Sequence, residues 1–195
     1  MAQGLPAALV LLTGFMGAGK TTVGRALAAE LGWDFIDLDD LIEARAGKKI
    51  AEIFAGGDTE PDGEETFRQM ESAALASLMG EAALPPAVAR GRVMALGGGT
   101  LQRPQNRAMI DQARGTVVFL EAPVNELFKR CQWAPGTRPL YSELPAFELT
   151  YRQRLPIYRE SALSVATGGK TPHQVAAEIK RLLKAKKEIY MGDAQ

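Results

Sequence analysis

The stretch GFMGAGKT, Gly14 to Thr21, lies between an apolar run and a helix-periodic one, and it restricts the fold more than any other part of the chain. Its spacing is G-x-x-x-x-G-K-[ST], in the strand-to-helix setting that gives the motif physical meaning. Glycines at 14, 17 and 19 let the backbone curl until its N–H groups, with those of the following helix N-terminus, face a chain of phosphates. Gly17, Ala18, Gly19, Lys20, Thr21 and Thr22 are therefore the candidate nucleotide-phosphate residues. Lys20 can neutralise the β and γ oxygens, and the Thr21 hydroxyl is a hard-oxygen ligand of the kind Mg²⁺ accepts. A plain glycine-rich turn ending in a surface lysine would explain the composition, but not the agreement of register, strand and helix.

Short segments rich in Val, Ile, Leu and Phe alternate with helix-periodic stretches along the rest of the chain, the pattern of parallel strands joined by crossover helices. Five strands are expected at 8–12, 34–37, 92–96, 116–120 and 163–166. Helices are expected at 21–31, 39–46, 50–54, 64–78, 104–113, 124–130, 146–158 and 172–185, the last capped by Thr171 with Pro172 in its first position. The fold class is α/β, and 195 residues suit a single domain over 1–195. Two stretches stand apart as candidate binding loops or lids: AGGDTEPDGE (55–64) and WAPGTRPLYSELP (133–145).

Charge narrows the function. Lys plus Arg number 23 and Asp plus Glu 23, so no global field recruits nucleic acid or an anionic membrane. The lone Cys131 excludes an intramolecular disulfide and points to a reducing compartment, the cytoplasm. LPAALVLLTGF near the start reads as a buried strand, because Gly14 and Lys20 interrupt it short of a membrane span. With no exposed apolar helix or heptad repeat in evidence, a monomer is expected.

The remaining polar motifs are individually ambiguous. In DFIDLDD, Asp37 and Asp39 would project to one side of an extended chain, toward the ligand crevice at the carboxyl edge of a parallel sheet, one holding a magnesium-bound water and the other a substrate hydroxyl. Helix capping explains an aspartate there equally well. Arg68 and Glu71, three apart, can pair as a solvated salt bridge or serve a site. YRQRLPIYRE supplies Arg152, Arg154 and Arg159 beside a proline-marked bend, and PGTRPLY holds Arg138 in a turn or a lid. Two arginines from separate segments could grip a carboxylate bidentately. Gly97, Gly98 and Gly99 follow an apolar strand, as a permissive turn or as a surface a ligand approaches closely.

Taken in order, GFMGAGKTTVGRALA, DFIDLDDLIE, IAEIF followed by GEETFRQME, ALGGGT, TRPLY and QRLPIYRE resemble the shikimate kinase family over nearly the whole chain. The resemblance implies a three-layer P-loop NTPase fold of the nucleoside-monophosphate-kinase type, a five-stranded parallel sheet flanked by helices. It implies transfer of the γ-phosphoryl group of ATP to the 3-hydroxyl of shikimate, with Mg²⁺, in aromatic amino acid biosynthesis. By position, Asp39 would bind the shikimate hydroxyls and assist deprotonation, Arg68 and Arg154 would grip the carboxylate, and Gly97, Gly98 and Gly99 would line the acceptor. Glu71 would orient Arg68. Lys20 and Arg138 would serve catalysis at the ATP phosphates, Thr21 would bind the metal directly and Asp37 through water, and Arg130, Lys170 and Pro172 would surround the adenine. The acceptor-binding region would span about 38–80 and the lid about 131–146. The stretch near 56–62 is longer than the family pattern, either a tolerated acidic insertion or a change to the acceptor region.

Overall fold

The structure, a computed structural model, describes residues 9–56, 62–82, 91–133 and 143–192. The chain order is β1 (Leu9–Thr13), α1 (Lys20–Leu31), β2 (Asp34–Asp37), α2 (Leu38–Ala46), α3 (Ile50–Ala55), α4 (Gly63–Ala82) and β3 (Arg92–Ala95). A 3₁₀ turn (Thr100–Gln102) then leads to α5 (Pro104–Gln112), β4 (Thr116–Glu121), α6 (Val124–Trp133), α7 (Leu144–Arg159), β5 (Leu163–Ala166) and α8 (Pro172–Gly192). Every expected strand and helix forms; β2 and β5 keep the expected bounds, most other ends shift by one to four residues, and α8 runs seven residues past its expected end.

The five strands make one parallel sheet in the order β2-β3-β1-β4-β5. β1 is buried along its whole length, because helices cover both faces of the sheet. Its side chains divide by the strand's period of two. Val10 and Leu12 join the core formed with α1, α6, α7 and α8, and Leu9 and Leu11 join the core formed with α2, α3, α4 and α5. Each such leucine or valine, fully buried, contributes about 1.5–3 kcal/mol, so this strand is the spine of the fold.

Register decides where the site lies. Asp37 pairs with Ala95 and Leu12 pairs with Ala95, so β2, β3 and β1 leave the sheet at the same level. The Leu96 N–H extends the ladder by one bond to the Leu12 carbonyl at 3.0 Å. Beyond that line the chain becomes, respectively, the DLDD turn, the glycine run and the GFMGAGKT loop. The central strand has its first crossover on one side and a later one on the other, which opens a crevice at the carboxyl ends.

Caps set the helix starts around this edge. The Thr171 hydroxyl accepts from the Gln174 N–H at 3.3 Å while the Gln174 side chain accepts from the Thr171 N–H at 2.8 Å, a reciprocal cap for α8. Asp62 caps α4 by accepting from the Glu65 N–H at 3.0 Å, and Gly63 lies so near α3 that a Cβ would come within 2.3 Å of the Ile53 carbonyl oxygen. The rest of the longer stretch, 57–61, lies outside the described residues. α7 continues through Pro156 to Arg159, although the ring removes the helical donor to the carbonyl of residue 152. Among the described residues, no helix is long and apolar enough to cross a membrane.

Candidate active site

The loop after β1 holds Gly17 at φ 78° and Gly19 at φ 87°, left-handed values that a side chain would strain. Gly19 thereby aims the start of α1 into the crevice. Lys20 folds back over the loop, its Nζ donating to the carbonyls of Gly14 at 2.9 Å and Phe15 at 3.2 Å. Thr22 is turned away, its hydroxyl donating to the Gly19 carbonyl at 3.0 Å. Thr21 reaches across to β2, where its hydroxyl donates to Asp37 Oδ2 at 2.6 Å.

Asp37 has a second task, because its Oδ1 accepts from the Asp39 N–H at 3.0 Å and so caps α2. The cap considered for Asp39 therefore belongs to Asp37. The extended geometry expected of the pair does not persist either: the chain turns helical at Leu38, and Asp39 enters the crevice from the first turn of α2. There it faces the glycine run, with Oδ1 3.2 Å from where a Cβ on Gly97 would stand. Two carboxylates two residues apart thus reach one crevice by different routes, one from a strand end and one from a helix start.

The three glycines are not equivalent. A Cβ on Gly97 would come within 2.4 Å of Glu71 Oε1, and one on Gly99 within 2.5 Å of Arg68 Nη1. A Cβ on Gly98 would meet nothing closer than Arg154 Nη1 at 3.6 Å, followed by the Gly14 carbonyl oxygen at 3.7 Å. Gly97 and Gly99 make room for protein, whereas a Cβ on Gly98 would fit in ordinary van der Waals contact among Arg154, the Gly14 carbonyl and the Tyr158 hydroxyl.

Arg68 and Glu71 are not a solvated pair. The Glu71 side chain is 0 % exposed and that of Arg68 only 12 %, with Nη1 to Oε2 at 3.0 Å. Their helix is seated by Phe67, whose ring lies 4.8 Å from that of Phe54 in α3. Arg154 arrives from the other side, its Nη1 donating to the Gly98 carbonyl at 3.2 Å. Of the three arginines in its segment it alone faces inward; Arg152 pairs with Glu148 at 2.7 Å on the exposed side of α7, and Arg159 is exposed at the helix end.

Three residues that the sequence reading passed over build this arrangement. Phe15, inside the phosphate loop, packs edge-on against Phe147 at 4.9 Å and Tyr151 at 5.5 Å, with the Arg154 guanidinium 5.7 Å from its ring. Tyr158 donates its hydroxyl to the same Gly98 carbonyl and stacks on Phe119 at 5.3 Å. Thr100, fully buried, donates to Glu71 Oε1 at 2.6 Å. The spacing of 147, 151, 154 and 158 places one aromatic–arginine stripe on a single face of α7, a signal that was legible in the sequence.

On the opposite side of the loop, Arg130 of α6 donates to the Gly17 carbonyl at 3.2 Å and to Thr167 Oγ1 and O at 3.4 Å each, and pairs with Glu126. It ties the phosphate loop to the turn after β5. Lys170, in that turn, pairs with Glu178 at 2.6 Å, and Pro172 opens α8 beside it. Cys131, next to Arg130, packs on the loop so closely that a Cβ on Gly17 would lie 3.1 Å from its sulfur. Burial pushes its thiol above the ordinary range, against a smaller opposing pull from the Lys20 charge. Arg138 lies outside the described residues, as does the expected lid between 134 and 142. No group of three or more His, Cys, Asp or Glu side chains that could hold a metal occurs among the described residues.

A sequence model of the shikimate kinase family matches residues 16–184. The chain belongs to the shikimate kinase family. A shikimate kinase of Thermus thermophilus is 40% identical over 177 residues, 89% of either chain, and one of Aromatoleum aromaticum is 42% identical over 165 residues, 83% of this chain and 86% of the other. The solved structure of the Acinetobacter baumannii shikimate kinase in complex with shikimate superposes with a TM-score of 0.80 at 33% identity, covering 92% of this chain and 94% of that one. The chain is accordingly a kinase of this family, and its five-stranded sheet with flanking helices is the family's P-loop kinase fold.

Proposed function

We propose that the crevice transfers the γ-phosphoryl group of ATP to the 3-hydroxyl of shikimate, releasing ADP and shikimate 3-phosphate for aromatic amino acid biosynthesis. The observation that carries this reading is the convergence of Arg68 from α4 and Arg154 from α7 on adjacent glycines, 99 and 98, beside the phosphate loop. Two guanidinium groups on either side of a side-chain-free wall suit a small acceptor with a carboxylate. The acceptor's hydroxyls then face Asp39, which binds them and takes the proton of the attacking oxygen. Lys20 leaves the Gly14 and Phe15 carbonyls for the β and γ oxygens, with Gly17 to Thr22 wrapped around the phosphates. Arg138 is read as the lid arginine, completing the positive surround.

Thr21 and Asp37 fit a magnesium ion: a hydroxyl and a carboxylate oxygen 2.6 Å apart form a hard-oxygen pair at the phosphate end, and Mg²⁺ habitually combines one or two such groups with water and substrate phosphates. Thr21 would bind it directly and Asp37 through water. When bound, it would neutralise charge on the β and γ phosphates. Positioning and electrostatics supply most of the acceleration, because a loose phosphoryl transition state asks little covalent chemistry of the protein. Arg130 and Pro172 flank the adenine, with Lys170 near by. The same reading takes the chain as a cytoplasmic monomer, one domain over 1–195.

A coupled ADP-release assay with ATP, Mg²⁺ and separately shikimate, quinate or gluconate tests the proposal. Turnover that depends on shikimate is the expected result. Folded protein releasing ADP only with gluconate, or with none of them at any magnesium concentration, would overturn it.

A further inference from the structure

The acceptor arginines differ in how they are held. Arg154 rests on a backbone carbonyl, whereas Arg68 lies between two carboxylates, the exposed Glu64 at 3.5 Å and the closer Glu71 at 3.0 Å, which is itself buried and must be held in turn. An ionised carboxylate with no exposed surface is tolerated only if both oxygens have partners. Glu71 Oε2 takes Arg68 Nη1 at 3.0 Å, and Oε1 takes the Thr100 hydroxyl at 2.6 Å. Gly97 closes the carboxylate's near side, since a Cβ there would lie 2.4 Å from Oε1 and 3.1 Å from the Thr100 hydroxyl oxygen.

Thr100 is in its turn immobilised from three directions. Its N–H donates to the Gly97 carbonyl at 3.2 Å, and its carbonyl accepts from the buried Asn106 side chain at 2.9 Å. It opens the 3₁₀ turn whose Gln102 N–H bonds the Gly99 carbonyl at 3.0 Å. A chain of contacts therefore runs Asn106, Thr100, Glu71, Arg68, with the first three members wholly buried. Such a rigid base is what a guanidinium needs to grip a carboxylate in a set orientation.

We propose that Thr100 is a positioning residue of the acceptor site: its hydroxyl orients the Glu71 carboxylate, which sets the direction of the Arg68 guanidinium. The inference rests on the reading of Arg68 as an acceptor ligand. Thr100 itself touches neither substrate; it acts through Glu71. Valine preserves its shape and removes only the hydroxyl, while serine keeps the hydroxyl.

Steady-state kinetics of Thr100→Val, Thr100→Ser, Arg68→Ala and the Thr100→Val/Arg68→Ala double variant, with thermal melts of each, test the assignment. Thr100→Val should raise the KM for shikimate about tenfold, the effect of one lost charge-assisted hydrogen bond, with kcat at saturating shikimate and the KM for ATP each within about twofold of the parent. Thr100→Ser should restore the shikimate KM to within about threefold. Added to Arg68→Ala, Thr100→Val should change little, because the two act on one interaction. An unchanged shikimate KM in Thr100→Val, a serine variant as impaired as the valine one, or fully multiplicative effects in the double variant would overturn the proposal. If Thr100→Val does not fold, Thr100→Ala carries the same expectation, and failure of both to fold shows a folding role and overturns it as well. A parent enzyme without shikimate-dependent turnover would overturn the proposed function first and this inference with it.

Discussion

Alanine placed in turn at 97, 98 and 99 should produce three different defects. At Gly97 the new Cβ would lie 2.4 Å from Glu71 Oε1, about 1 Å short of ordinary contact. Glu71 cannot swing aside without leaving both Thr100 and Arg68. Overpacking of this kind costs about 1–3 kcal/mol, which lowers the melting temperature of a chain this long by roughly 2–12 °C. At Gly98 the nearest atom is 3.6 Å away, so the folded state accepts the methyl group. Its φ lies outside the left-handed region, and alanine restricts the unfolded chain, so stability should hold or rise by up to about 1 kcal/mol. The methyl group would instead occupy the gap between Arg154 and the phosphate loop, where the acceptor is read to bind. A misfit of about 1–3 kcal/mol there raises the KM for shikimate roughly five- to hundredfold. At Gly99 the Cβ would strike the Arg68 guanidinium at 2.5 Å, the far end of a long side chain, so displacement of that arginine should raise the shikimate KM with modest loss of stability. Thermal melts and the coupled ADP assay on the three variants would separate the cases. If Gly98→Ala melted lower than Gly97→Ala, or kept the parent's shikimate KM, the division of labour argued for the glycine run would be wrong.

Arg68→Ala and Arg154→Ala should each weaken shikimate by about 1.5–3 kcal/mol, the range of a charge-assisted hydrogen bond, while leaving ATP binding near that of the parent; titration calorimetry with either ligand checks this. Asp37→Asn retains a capping oxygen for the Asp39 N–H and so should fold normally, but the magnesium concentration for half-maximal activity should rise about tenfold; an unchanged magnesium curve would count against the Thr21–Asp37 site. For Cys131, burial favours the neutral thiol in the folded protein. The pH midpoint of its alkylation should therefore lie above that of the unfolded chain, and its contribution to stability, present below the ordinary thiol range, should be lost as pH rises through the folded value. Alkylation of the native protein with a midpoint at or below that of the unfolded chain would refute the assignment.

Much of the site could be read from local pattern. The phosphate loop is contiguous, and its chemistry follows from eight residues whose strand and helix neighbours announce themselves by periodicity. The central strands and their alternation with helices were legible for the same reason: burial on both faces demands continuous apolar runs, as in LVLLT of β1, and an amphipathic helix demands a stripe, whereas the edge strands DFID and LSVA are only partly buried and carry a weaker signal. Other features resisted. Arg68 and Glu71 look like any surface pair at three-residue spacing, because nothing near them in sequence reveals that Gly97 and Thr100 will close over the carboxylate. Asp37 and Asp39 were placed correctly at the crevice by an extended-chain argument that the first turn of α2 then supersedes. The aromatic stripe of α7 could have been found by its spacing, but its partner Phe15 lies more than a hundred residues earlier.

The amino-acid sequence by itself determined the layers, the parallel sheet and the presence of a phosphate-binding loop, since each rests on hydrogen-bonding and hydrophobic periodicities within a short window. Only the tertiary structure decided which arginine faces inward, which glycine could take a Cβ without a clash, and which buried hydroxyl holds Glu71. Those properties belong to the register of β2, β3 and β1 and to the docking of α4 and α7 on that edge. Contacts of that kind join residues from distant segments, and no local pattern encodes the distance between them.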